Sequence, residues 1–117
     1  MKVINRVGVG VMSIPLGVIP MLRVCAYIFG NYSARRTITD PKIGKVPIVF
    51  FRTQHVPLIR CLAHLAVLEK MVDWAIERFR DPNVNPRVRH GIAVLTKAVM
   101  TQLGQEDLAQ VIERCGA

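Results

Sequence analysis

Residues 32–62, with the sequence YSARRTITDPKIGKVPIVFFRTQHVPLIRCL, separate two long stretches of helical pattern. The pair Arg35-Arg36 ends the first stretch, because the C-terminal end of a helix dipole favours cations. The dipeptide Asp40-Pro41 is a turn signal. The β-branched and aromatic residues 48–51 favour an extended connector. The segment therefore predicts a loop with a short extended piece between two helices, the second of which opens near residue 52.

Three stretches show apolar residues at the three- and four-residue spacing of a helix. They are residues 4–36, 52–80 and 86–115. The first is apolar on nearly all sides before Arg23, which predicts a helix surrounded by neighbours. Pro15 and Pro20 should kink or split it. Long helices with short connections predict an all-α fold, an up-down bundle of three long helices in one domain.

The same spacing predicts which residues face the core. In the first helix they are Val7, Val11, Ile14, Val18, Leu22, Ala26 and Phe29. In the second they are Leu58, Leu62, Leu65, Leu68, Met71, Val72, Ala75, Ile76 and Phe79. In the third they are Val88, Ile92, Leu95, Val99 and Leu103, with Leu108, Val111, Ile112 and Cys115 continuing the period.

Prolines and capping residues set the expected helix ends. Pro57 belongs in a first turn, so the regular part of the second helix is expected from about Val56. Asn85-Pro86 combines an N-cap with a proline at the first helical position. The third helix is expected as one helix or two in line, with a bend at Gly104.

The composition of the chain indicates which classes of binding partner to expect. The chain has 117 residues, a net charge of +8, 51% hydrophobic residues and a mean hydropathy of +0.32. The basic residues are scattered and aromatic residues make up only 6%, so a nucleic-acid partner is not expected. The high hydropathy predicts apolar faces that meet a partner or further domains. The three cysteines are odd in number and far apart, which favours buried thiols over a disulfide framework or a zinc site.

The N-terminal region resembles a signal sequence or a weak membrane span, since residues 7–22 carry no charge. Arg23 ends this run below the roughly 18–20 residues that a span needs. The apolar helical pattern then continues past Arg23. A membrane partner is therefore not expected.

Two short motifs carry a resemblance to a known family. The first contains Tyr32, Ser33 and Arg36, and the second contains Phe51, Thr53, Gln54 and Leu58. Together with the ending Glu113-Arg114-Cys115-Gly116-Ala117, their order and spacing resemble the C-terminal helical region of acyl-CoA oxidases and acyl-CoA dehydrogenases, the oxidase branch more closely. The resemblance covers about residues 6–117.

The resemblance implies FAD as the cofactor and a set of residues that contact it. Arg36 would reach the flavin diphosphate across a subunit interface; without the resemblance it is a solvated cation at a helix end. Thr53 and Gln54 would hydrogen-bond the flavin or cap the second helix. Gly116 would approach the cofactor through its backbone. Ile38 replaces a glutamine of the family that helps to hold the flavin, and this puts one contact in doubt.

The family oxidises the Cα–Cβ bond of acyl-CoA thioesters with a catalytic glutamate. The resemblance implies that this chain is a part of such an enzyme, without that glutamate and the other domains, and inactive alone. It also implies a homo-oligomer or pairing with a larger homologous chain, in the peroxisome, cytoplasm or mitochondrion. The alternatives are a non-catalytic helical interaction subunit and a small membrane-associated protein anchored by residues 7–30.

Other polar residues have plainer interpretations. His55, His64 and His90 show no metal-ligand spacing. The carboxylates of Glu69, Asp73 and Glu77 lie on the wet side of the second helix, and no Glu-x-x-His motif accompanies them. We therefore expect neither a metal site nor a catalytic residue in this chain.

Overall fold

The computed structural model describes residues 2–115, and the side chains of residues 6–115. This part of the chain is mostly helical, with one two-stranded sheet. The elements are α1 (Lys2–Leu16), α2 (Val18–Arg35), β1 (Thr37–Asp40), β2 (Gly44–Pro47), a 3₁₀ turn (Ile48–Phe50), α3 (Arg52–Arg80) and α4 (Pro86–Arg114). They form a rod of 68 × 23 × 16 Å.

The first helical stretch is divided at Gly17 into α1 and α2, as the prolines predict. Pro15 lies inside α1, near its C-terminal end, and is fully buried, while Pro20 occupies the first turn of α2. The prediction that neighbours surround this stretch is wrong for the described residues, because only 22% of its most apolar window is buried. By length and composition alone, residues 6–35 could span a membrane, a test that core helices and signal sequences also pass.

The connection between α2 and α3 differs from the predicted loop and extended connector. It is an antiparallel hairpin in which Asp40 pairs with Gly44 and Thr37 with Pro47. The carboxylate of Asp40 accepts the backbone N–H groups of Lys42 and Ile43 at 2.7 and 3.2 Å. Gly44 has a φ of 86°, which closes the turn at low steric cost. Residues 48–50 form a 3₁₀ turn instead of an extended piece.

The two long helices have clear ends. The predicted bounds 52–80 of the second helix are confirmed, since α3 runs from Arg52 to Arg80. The expected regular start near Val56 is wrong, because Pro57 lies inside the helix, where it can donate no N–H to the carbonyl of the exposed Thr53. The predicted cap of α4 is confirmed, since the side chain of Asn85 accepts the N–H of Arg87 at 2.9 Å. α4 continues as one helix to Arg114.

The core lies where α2, α3 and α4 meet. Its centre contains Leu22 and Phe29 of α2, Leu65 and Leu68 of α3, and Met100 of α4. A smaller cluster of Met12, Ala75 and Ala93 joins α1 to α3 and α4. The predicted core stripe of α3 is confirmed except for Leu62, which is 48% exposed.

The predicted core stripes of α1 and α4 are wrong in part. Val7 and Ile14 of α1 are exposed, and the buried positions are Gly8, Met12 and Pro15. In α4, Val88, Leu95, Val99 and Ile112 are exposed. The buried positions of α4 are instead Ala93, Thr96, Met100, Gly104, Asp107 and Val111.

Candidate functional site

The predicted flavin-contacting residues of α2 and α3 lie at one end of the rod. α2 ends at Arg35, and Arg36 is its C-cap, with its N–H bonded to the carbonyl of Tyr32 at 2.8 Å. The hairpin then turns the chain back, and the carbonyl of Arg36 accepts the N–H of Ile48 at 2.8 Å. The 3₁₀ turn that opens at Ile48 leads directly into α3. The hairpin therefore holds the guanidinium-bearing end of α2 near the start of α3.

The start of α3 is open to an anion. Its N-cap is Phe51, and no side chain in the described part of the chain caps it. Its first turn contains no acidic residue. Thr53 lies inside the helix and is exposed, so the interpretation of Thr53 as the cap is wrong. The N–H of Gln54 donates to the carbonyl of Phe51 at 2.8 Å, so the N–H groups of Arg52 and Thr53 are the ones left at this start. They lie at the positive end of the helix dipole, which favours phosphate.

Two buried polar side chains lie close to this end of the rod. The Oε1 atom of Gln54 and the Oγ atom of Ser33 are buried, and neither has a hydrogen-bond partner among the described residues. Gly30 faces Leu58, since a Cβ on Gly30 would lie 3.7 Å from Cδ2 of Leu58. Because α2 and α3 run in opposite directions, the next turn of each helix brings Ser33 and Gln54 to the same level. An unpaired buried oxygen is costly unless something donates to it.

The other positions of the family motifs add less to the site. Ile38, which stands in the place of the family's glutamine, is exposed. Gly116 lies outside the described residues. The candidate site therefore consists of Arg36, the start of α3 and Gln54, and the structure adds Ser33, which the sequence analysis named only as part of a motif.

An open groove of about 420 Å³ runs between α2 and α3. Tyr27, Gly30, Leu58 and Leu62 contribute to its mostly apolar wall. Arg23 lies on its rim and is paired with Glu69, with the Nε and Oε1 atoms 2.8 Å apart. The groove lacks an unpaired cation on its rim and offers shape and apolar area to a ligand.

A second polar cluster joins α3 to α4, and sequence reasoning missed it. Asp107 is only 1% exposed, and its carboxylate oxygens lie 2.8 and 3.0 Å from Nδ1 of His64. The Nε atom of Arg60 lies 3.9 Å from Asp107, and its Nη2 atom lies 3.4 Å from Glu106. The available signal was the position of Asp107, seven residues after Met100 and four before Val111, where the helical period puts it on the buried face.

Cys61 lies beside this cluster and makes it resemble a nucleophilic Cys–His–Asp site. Burial, the charge of Asp107 and the nearby Cys25 raise the pKa of the Cys61 thiol to about 11. The side chain is also fully buried. A reactive cysteine needs a lowered pKa and access to substrate, so Cys61 is a core residue and not a nucleophile. This agrees with the expectation of buried thiols, although Cys25 and Cys115 are half-buried.

The carboxylates of α3 behave as expected for a solvated face. Glu69 is bound by Arg23, and Asp73 is 73% exposed with a weak contact to Lys70 at 3.8 Å. Within residues 2–115, no group of three His, Cys, Asp or Glu side chains is arranged to hold a metal ion.

No protein-family model, curated protein or solved structure matches this chain. What the site can do therefore follows from its own groups. The end formed by Arg36, the start of α3 and Gln54 combines a cation, free N–H donors and an acceptor oxygen, which together suit a phosphorylated cofactor with polar ring or sugar groups.

Proposed function

We propose that this chain is the flavin-binding and oligomerisation part of an FAD-dependent acyl-CoA oxidase or dehydrogenase. Its long helices would form part of the C-terminal up-down bundle of that fold. One observation supports this most: the residues that the family motifs identify, Arg36 and Gln54, lie at the same end of the rod as the uncapped start of α3.

Each group at this end would have a separate role toward FAD. The guanidinium of Arg36 would bind diphosphate oxygens, with the free N–H groups at the start of α3 adding donors. The buried Oε1 of Gln54 would accept a hydrogen bond from a hydroxyl or ring N–H of the cofactor. When bound, FAD supplies the hydride acceptor for oxidation of the Cα–Cβ bond of an acyl-CoA thioester. These helices would contribute no proton-transfer residue, so we expect no turnover by this chain alone.

The exposed apolar residues support the oligomerisation role. Met21, Val24 and Ile28 of α2 are between 38% and 57% exposed. Val88, Leu95 and Val99 of α4 are between 40% and 66% exposed. Exposed apolar faces of this length usually meet another protein surface. The partner would be a second copy or a larger homologous chain inside the cell.

The cofactor test compares two adjacent arginines. The chain, alone and mixed with a full-length acyl-CoA oxidase, is titrated with FAD and with FMN, which lacks the diphosphate. Arg36→Gln should weaken FAD binding by about tenfold, because a charge-assisted contact to phosphate is lost, and should leave FMN binding unchanged. Arg35→Gln is the matched control. Equal effects of the two substitutions, or no FAD binding beyond that of the full-length enzyme alone, would contradict the proposal.

A non-catalytic helical interaction subunit is the second candidate function, and the exposed apolar stripe of α4 favours it. Such a subunit would associate with a larger chain at a fixed ratio and carry no flavin. Mass measurement of the complex together with its flavin absorbance separates the two functions.

A further inference from the structure

Exposed apolar side chains form one stripe along α1 and α2. The stripe repeats every seven residues, which is close to two helical turns, and consists of Val7, Ile14, Met21 and Ile28. The backbone of Gly17, between the two helices, stays helical with a φ of −64° and a ψ of −19°, so the stripe continues across the break. This N-terminal stripe faces away from the core.

The net charge of the chain comes from the same half of the sequence. Residues 1–68 contain nine Lys or Arg residues and one acidic residue, Asp40, which accounts for the whole net charge of +8. Residues 69–117 contain seven residues of each sign. Arg35 takes the next position of the repeat after Ile28, Arg6 directly precedes Val7, and both arginines are exposed. The sequences of α1 and α2 contain no acidic residue, so cations border the N-terminal stripe at both ends.

A lipid bilayer with anionic headgroups is complementary to such a face. Its headgroups carry the opposite charge, and its acyl chains begin directly beneath them. A nucleic acid would match the charge but would leave the apolar stripe in water. A second copy of the chain would match the apolar stripe, but it would bring two halves of charge +8 together, and like charges oppose that contact.

The core contacts of α2 favour binding at the bilayer surface over crossing it. The other side of α2 buries Leu22 and Phe29, both 0% exposed, at the centre of the core. A single helix that crosses a bilayer is surrounded by lipid, so these two side chains would have to leave the core. A helix that lies in the interface uses only its exposed face. The short uncharged run before Arg23 counts against a span but not against binding at the surface.

We propose that α1 and α2 bind the surface of an anionic bilayer, with the N-terminal stripe in the boundary between headgroups and acyl chains. Arg6 and Arg35 would contact lipid phosphates at the two ends of the stripe. This surface does not depend on flavin binding. A bilayer and a protein partner would compete for Met21 and Ile28, whereas the exposed stripe of α4 lies in the neutral half of the sequence and stays available to a protein.

Flotation with lipid vesicles, in the absence of FAD, tests the proposal. The protein is mixed with vesicles of phosphatidylcholine alone or of equal parts of phosphatidylcholine and phosphatidylserine, and the fraction that rises with the lipid in a density gradient is measured. The protein should float with the anionic vesicles and much less with the neutral ones. An alkaline wash should release it, because it does not cross the bilayer.

Two outcomes of the flotation experiment would overturn the proposal directly. Equal flotation with both kinds of vesicle would remove the role of the charge, and retention after the alkaline wash would indicate a span. Absence of flotation would overturn it as well. In that case, binding to duplex DNA in a mobility-shift assay would assign the charge to nucleic acid, and a dimer in solution would assign the stripe to a second copy.

The apolar part of the surface is tested with a matched pair of double variants. Ile14→Gln with Ile28→Gln changes side chains that are 65% and 57% exposed, and it should lower the partition onto anionic vesicles by more than about tenfold. Leu95→Gln with Ile112→Gln changes side chains of α4 that are 66% and 59% exposed, and it should leave the partition unchanged. Equal losses in the two double variants would overturn the assignment to the N-terminal stripe.

The charged part is tested in the same way. Arg6→Gln with Arg35→Gln should lower the partition onto anionic vesicles by roughly thirtyfold, since each cation near an anionic surface contributes to binding. Arg78→Gln with Arg80→Gln removes two exposed cations from the neutral half of the sequence and should have little effect. Equal losses in these two double variants would show that the total charge decides binding, and would overturn the proposed orientation.

Discussion

Helices α3 and α4 are both 29 residues long, and they are packed by different means. α3 buries large apolar side chains such as Leu65, Leu68 and Val72. α4 buries Met100 and Val111 together with small or polar residues, and a Cβ added to Gly104 would lie 2.5 Å from Cγ1 of Val18. α3 is therefore held by side-chain volume, while α4 is held in addition by close backbone approach and by the carboxylate of Asp107. The difference teaches that equal length and periodicity do not imply the same kind of interface.

The largest effect is expected where the two kinds of packing meet, at His64. His64→Leu removes the main partner of Asp107, whose carboxylate then stays buried with only Arg60 at 3.9 Å. An unpaired buried charge costs about 3 kcal/mol of unfolding free energy. Asp107→Leu should cost less, because the 27% exposed side chain of His64 can turn to water. Denaturant unfolding of both variants checks this, and a costlier Asp107→Leu would refute the asymmetry.

Two glycines of α4 allow a matched test of its close packing, because Gly104 lies against Val18 and Gly91 has no neighbour within 4 Å. Gly104→Ala places a methyl group against the stiff side chain of Val18 and should destabilise the protein by about 1–2 kcal/mol, after its gain in helix propensity. Gly91→Ala on the same helix meets nothing within 4 Å and should stabilise it by about 0.5–1 kcal/mol. Thermal unfolding compares the two, and shifts of the same sign would count against packing by close approach.

Cys61 gives the α3 side of the interface a dependence on alkaline pH. Its pKa is raised from 9.0 to about 11 by burial, by Asp107 and by Cys25. Below pH 9 the thiol is neutral in both the folded and the unfolded state, so its contribution to stability is fully present. Between pH 9 and about 11 the unfolded state ionises first, and this contribution is lost as the pH rises. In Cys61→Ala, unfolding midpoints over this range should fall less steeply than in the parent; parallel slopes would contradict it.

The smallest effect is expected at the helix starts, where α4 has a cap and α3 has none. Asn85→Ala removes the acceptor of the Arg87 N–H and should cost about 1 kcal/mol. Asn85→Ser should retain most of the stability, since its hydroxyl can also cap. Amide hydrogen exchange in the first turn of α4 should rise only in the alanine variant. A rise in both variants would assign the effect to lost side-chain packing.

Much of the α3 interface can be predicted from the sequence, whereas that of α4 cannot. Leu65, Leu68 and Val72 are large and regularly spaced, so the hydrophobic period identifies the buried face. In α4 the same rule selects Leu95 and Val99, which are exposed, although Met100 at 0% exposure and Val111 at 3% are buried. The helical spacing from Met100 to Val111 also passes through Gly104 and Asp107, but a rule that counts only apolar side chains omits both.

The candidate site shows a similar division. The motifs identify Arg36 and Gln54, and the turn signals identify a break between helices. The hairpin between Thr37 and Pro47 was missed, because it depends on the Asp40 carboxylate bonds and on the positive φ of Gly44. The unpaired oxygens of Ser33 and Gln54 depend on the register of α2 against α3, which no local pattern contains.

The contact of Val18 with Gly104 also determines when the fold can close during synthesis. α1 and α2 leave the ribosome before α4, which covers part of them. Until then the hydrophobic first third of the chain has only α3 to pack against. Chaperones that bind apolar segments should therefore bind the nascent chain strongly, and they should release it when α4 has been translated.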